Sequence, residues 1–100
     1  MILLHILSNE EDQANDIVDF LIEENLILEA VLLEKVSVRK KEGNSNQTLI
    51  MGKTKALLFN TIDIMLKEKY KEKMPVIYSL PIVNMDWEQS KNLTEDIRKV

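Results

Sequence analysis

One hundred residues carry 13 Lys or Arg against 17 Asp or Glu, for a net charge of −4, and 45% of them are hydrophobic with only two Gly and two Pro. That composition describes one globular domain with a small but real core, 1–100, and excludes disordered and fibrous chains. An acidic balance implies no basic face, so nucleic acid is not an expected partner. The chain has no cysteine, which excludes disulfides, thiolate catalysis and cysteine-held zinc or copper. No apolar run approaches the roughly 18 residues of a membrane span, and no apolar leader precedes a small-residue cleavage site, so the chain reads as cytoplasmic.

Met1–Leu7 is a short apolar run broken by His5 and bounded by Ser8-Asn9, which fits a buried strand. Ser8-Asn9-Glu10-Glu11 has the form of a capping box with Ser8 as N-cap, and acids crowd the first turn, where the helix dipole favours them. Ala14, Ile17, Val18, Leu21 and Ile22 then recur at helical spacing, predicting a helix over about Asn9–Glu24 that Asn25 ends in a left-handed conformation. Leu26–Val38 reads as a long strand entering a polar hairpin, Arg39–Asn46, with Gln47–Gly52 returning.

Thr54 is placed to cap a second helix, Lys55 to about Tyr70, with Leu58, Ile62, Met65, Leu66 and Tyr70 on its inner face. Lys67, Lys69, Lys71 and Lys73 alternate with Glu68 and Glu72, the pattern of a solvated helix end. Met74–Val83 is β-branched and apolar with a proline near each end, so it predicts a strand from about Pro75 with Pro81 at an edge or bend. Asp86–Lys91 predicts a short capped helix whose Trp87 closes over a small core, followed by a polar tail that is frayed or helical.

The order is β-α-β-β-α-β with a short C-terminal helix. This is the ferredoxin-like α+β plan, one antiparallel sheet with both helices on one face. The other face is then bare, and apolar residues such as Ile27, Leu28, Val31, Leu32 and Leu33 on both sides of a strand leave a patch that oligomerisation would cover.

Several segments in this order resemble the CutA family of divalent-cation-tolerance proteins, relatives in fold of the PII proteins. They are the acidic helix start Ser8–Ala14, the helix end Phe20–Leu26, Glu42-Gly43 in the hairpin, Leu49–Thr54 closing in Lys-Thr, and Met74–Ile82 with its two prolines. The resemblance implies a homotrimer, without enzymatic activity, that binds or signals in connection with divalent metals. Its hairpin, Leu26 to Met51, would join sheets between subunits through Val31, Leu33, Val36, Leu49 and Met51, and the proline-flanked strand, with Ile77, would lie at an edge facing a neighbour.

The chain also departs from the family. Lys40-Lys41 replaces a hairpin Tyr-Trp pair, Lys69–Glu72 replaces a histidine segment, and Ile6 stands about where a strand cysteine proposed to hold copper would be. Copper is the metal the resemblance suggests, and its usual ligands are missing.

His5 is the lone histidine, and one imidazole makes a metal site only with other donors, such as acids or two more copies of itself. Lys53-Thr54, between a strand and a helix, is placed to receive an anion at a helix N-terminus. The alternative function is therefore a PII-like sensor taking a nucleotide or anion in intersubunit clefts near Lys53, Thr54 and the hairpin lysines. The four inner methionines read as core filler, and no catalytic constellation is buildable from these residues.

Overall fold

A computed structural model describes residues 1–100. Strand β1 (Ile2–Ser8) alternates: Leu4, Ile6 and Ser8 are buried while Leu3, His5 and Leu7 face the other way, half-buried. It pairs antiparallel with β3 (Gly43–Thr54) on one side and with β4 (Val76–Pro81) on the other, and β2 (Val31–Lys40) pairs with β3 beyond. The order β2-β3-β1-β4 is the expected ferredoxin-like sheet. The strand punctuated by prolines does lie at an edge, with Pro81 as its last residue, where no ladder donor is needed on the outer side.

Helices α1 (Glu11–Glu23) and α2 (Phe59–Tyr70) supply Ala14, Ile17, Leu21, Ile62 and Leu66 to one core with Leu4, Ile6 and Ile50 of the sheet. Of the expected apolar stripes, Ala14, Ile17, Leu21, Leu58, Ile62 and Leu66 are buried, Val18, Met65 and Tyr70 are half-buried, and Ile22 is exposed. Asn25 ends α1 at φ 59, as the sequence predicts, letting the amides of Asn25 and Leu26 turn back to Ile22 and Leu21.

The capping box does not form. Ser8 is the last residue of β1, fully buried, and its hydroxyl accepts from the Glu10 amide at 3.3 Å and lies 2.5 Å from Gln13 Oε1. Gln13 in turn donates to the Lys73 carbonyl at 2.7 Å. The serine thus ties the strand end, through Gln13, to the turn before β4. Glu10 takes the N-cap position with no side-chain cap bond.

The second strand starts at Val31, not Leu26. Leu26 and Ile27 are buried in the connection instead, where their apolar character is demanded by the core and not by a ladder. Gly52 packs closely beneath this connection, where a Cβ would come within 3.3 Å of two Ile27 side-chain atoms and Ile27 would have to give by a few tenths of an ångström.

The returning strand is longer than expected because the polar stretch Gly43–Asn46 is itself paired, leaving Lys41-Glu42 as the turn. A bulge at Glu34-Lys35, with Lys35 at φ 56, shifts the alternation of β2 by one residue. Val31 and Leu33 before it, and Val36 and Val38 after it, therefore share one face.

Thr54 does not cap the second helix, which begins at Phe59 after a single 3-10 turn, Ala56–Leu58. Its hydroxyl points inward and donates to the Leu26 carbonyl at 2.7 Å.

The last helix, α3 (Trp87–Asp96), is longer than expected and is capped by Asp86, whose Oδ2 accepts from the Gln89 amide. Trp87 is no lid: it stands 78% exposed, and Leu93 with Ile97 closes the core instead. The tail is therefore fixed. Arg98 pairs with Glu24 at 2.6 Å and its amide donates to the Asn25 carbonyl, while Lys55 Nζ reaches the carbonyls of Ile97 and Arg98. No helix is long and apolar enough to cross a membrane.

Candidate functional site

All helices that bury apolar side chains lie on the Leu4–Ile6 side of the sheet, so the opposite face has no cover within the chain. Its composition follows from register. Around β1 residues Leu3, His5 and Leu7 stand Lys53, Met51 and Leu49 of β3, and Leu80, Tyr78 and Val76 of β4. Val31 and Leu33 of β2 extend the row beyond Met51 and Leu49. Val31, Leu33, Val76, Tyr78 and Leu80 are between 42% and 54% exposed, a contiguous apolar surface of the kind that marks an interaction site.

Val31, Leu33, Leu49 and Met51, expected at a subunit contact, are together on this face, and Val36 continues it past the bulge. Ile77 is not part of it. It pairs with Ile6 and packs against the helix-covered core, while its neighbours Val76, Tyr78 and Leu80 take the outward positions. A strand apolar on both sides gives no parity of its own, so only its register with His5 tells which residues face out.

The β2–β3 hairpin extends the face. Pairing between β1 and β3 stops at Ser8 and Thr48, whereas β2 and β3 remain paired from Val36–Gln47 to Lys40–Gly43. This ribbon projects beyond the four-stranded sheet and helps draw the molecule out to 43 Å along its long axis. A two-stranded ribbon has marginal stability by itself.

Lys53 and Thr54, expected to receive an anion, have other partners in this chain. The threonine hydroxyl is buried on Leu26, only a single 3-10 turn starts beside it, and Lys53 Nζ is paired with Glu29 at 3.1 Å. A polar recess of about 210 Å³ lies at the bulge, lined by Asn9, Glu11, Glu34, Lys35, Asn46, Gln47 and Thr48. It is smaller than the roughly 300 Å³ at which small-molecule pockets begin.

No three His, Asp or Glu side chains converge as a metal set anywhere in the chain. Ile6, where the resemblance would put a copper-holding cysteine, is a fully buried aliphatic in the helix-side core. The residues present do not fit a copper centre of that kind.

The perturbed ionisable groups lie elsewhere, at the α1–α2 contact. Tyr70 hydroxyl donates to Asp16 Oδ2, with Lys69 Nζ 3.5 Å from the same oxygen and 5.3 Å above the Phe20 ring. The bond from Tyr70, opposed by some burial and helped by Lys69, holds Asp16 below the ordinary carboxylate range. Burial and the adjacent carboxylate push Tyr70 well above the usual phenol range.

A lowered carboxylate contributes stability above about pH 4 that is lost as pH falls. A raised phenol contributes stability below about pH 10 that is lost as pH rises. Urea midpoints of Tyr70→Phe should therefore approach wild type at both extremes and fall slightly below it between them, slightly because Asp16 is exposed. Equal wild-type and variant midpoints throughout would remove any role for this cluster.

The sheet order, with the helices on one face and a projecting hairpin, defines a ferredoxin-like α+β protein. Solved structures give the particular version of that plan: the fold is that of the CutA1 divalent-cation-tolerance proteins. CutA1 of Thermus thermophilus superposes with a TM-score of 0.84 at 22% identity, over 98% of this chain and 100% of that one. CutA1 of Oryza sativa gives 0.87 at 16%, over 99% and 94%. The protein described as the periplasmic divalent cation tolerance protein CutA of Archaeoglobus fulgidus gives 0.84 at 18%, over 98% and 100%. No family model matches the sequence, and no curated protein matches it significantly.

Proposed function

We propose that this chain is a divergent CutA-like protein, a non-enzymatic homotrimer that serves as a binding or signalling module in the response to divalent metal cations. The uncovered apolar face, continued by the projecting hairpin, carries the reading. The face is uncharged over its centre, so a second copy of itself matches it without requiring ion partners.

The sheet also has two free edges of different character, the ten-residue β2 and the six-residue β4. Unlike edges favour a head-to-tail contact, and such contacts either close into a ring or run on as filaments. Closure at three copies turns the three bare faces toward one another and gives each hairpin a neighbour's sheet to lie on. The reading assigns no resident cofactor, since one chain offers a single imidazole and no converging acids.

Sedimentation velocity at micromolar concentration and neutral pH tests it. The expected species has three times the 11.6 kDa chain mass; a stable monomer would sink the proposal.

A further inference from the structure

His5 stands at the centre of the bare face, in register with Met51 on one side and Tyr78 on the other. Its Nδ1 lies 3.3 Å from the Tyr78 hydroxyl, and the two rings are tilted by 56° with centroids 5.2 Å apart. The other nitrogen, Nε2, is shut away from solvent with no hydrogen-bond partner, and no other buried side-chain nitrogen or oxygen in the chain is left in that state.

The surroundings of the ring are neutral. Leu3 and Leu7 flank it on β1, Met51 faces it from β3, and Val31 follows Met51 on β2. Tyr78 is the titratable group facing it from β4. The charges of this face lie away from it: Lys53, opposite Leu3 and paired with Glu29 at 3.1 Å, and Lys40 at the hairpin tip. No carboxylate stands beside the imidazole in position to accept from an imidazolium.

We propose that His5 gates assembly by pH: with a neutral imidazole the bare face accepts a second copy of the chain, and protonation of the ring drives the copies apart. The inference rests on the reading that copies of this chain cover that face. In the free chain the residue is only half-buried, so a charge on the ring retains part of its hydration. Once the face is covered, the same charge is enclosed by the leucine, valine and methionine around it, with no carboxylate of its own chain in register to pair with it.

Acid therefore favours the free chain. Assembly is accordingly expected to be stronger at pH 8 than at pH 5.5.

Sedimentation velocity of wild type, His5→Gln and His5→Phe between pH 8 and pH 5 tests this, with circular dichroism at each pH to verify folding. The expected result is a wild-type oligomer at pH 8 that dissociates on dilution far more readily at pH 5.5, while both neutral variants assemble equally at the two values. Two variants, one polar and one apolar, keep the comparison if either fails to fold. A wild-type oligomer indifferent to pH overturns the gate and leaves the covered face standing. Acid dissociation of the variants as well, or tighter wild-type assembly in acid, also overturns the gate. A wild-type monomer at pH 8 overturns both readings.

Discussion

Leu33→Asp should leave the chain folded and strip it of its ability to assemble. Leu33 is 47% exposed in the single chain, opposite Leu49 on the bare face, so a carboxylate there stays hydrated and the monomer tolerates it. Covered by a second copy, the same carboxylate would be buried among apolar side chains with no cation at that register. Burial of an unpaired charge costs several kcal/mol, so even about 3 kcal/mol per interface is a loss of roughly a hundredfold. A trimer has three such interfaces and should fall to monomer at micromolar concentration.

Ile22→Asp is the matching control. Ile22 is 41% exposed but lies on α1, on the helix side of the sheet, so its variant should sediment like wild type. If both variants stay assembled, the bare face is not the interface; if both dissociate, the effect belongs to lost folding and not to that face.

Ending the chain at Asn92 should destabilise it by about 3–6 kcal/mol. The cut removes Leu93 and Ile97, which are 6% and 2% exposed within the core, and fully burying an aliphatic side chain contributes about 1.5–3 kcal/mol. It also removes the Arg98 contacts to Glu24 and Asn25. Stabilities of small domains are of the order of 5–15 kcal/mol, so the shortened chain should lose a large part of its urea midpoint or fail to fold. Ile97→Ala, expected to cost about 2–4 kcal/mol, tests the same packing with the chain length unchanged. A shortened chain that unfolds at the wild-type midpoint would mean that the tail is not part of the core.

The tail illustrates how local reading fails. Thr94–Val100 is polar on average, and its one core residue, Ile97, falls outside any stretch long enough to reveal helical periodicity. Trp87 misleads in the opposite sense: its size suggests burial, but α3 turns that position to solvent. Leu26 and Ile27 look like strand residues because burial selects apolar side chains in loops as well as in ladders. Ser8 has the capping sequence, yet the strand runs through it and its hydroxyl is recruited by Gln13.

Where a stripe or a stop signal is repeated, the sequence by itself determined the outcome. The helical spacing of Ala14, Ile17 and Leu21, the left-handed Asn25, and the prolines around β4 each act within a turn or two of chain. Together with element order they determined the ferredoxin-like plan. The tertiary structure alone decided which side of each strand faces outward, because register is a relation between distant segments and one residue of slip exchanges the faces.

That relation placed Ile77 inside and Tyr78 outside, and the bulge at Lys35 brought Val36 onto the face of Leu33. It also set His5 between Met51 and Tyr78 on a bare apolar surface with one nitrogen unpartnered. In the sequence His5 is one polar break in an apolar strand; in the sheet its neighbours come from strands more than forty residues away.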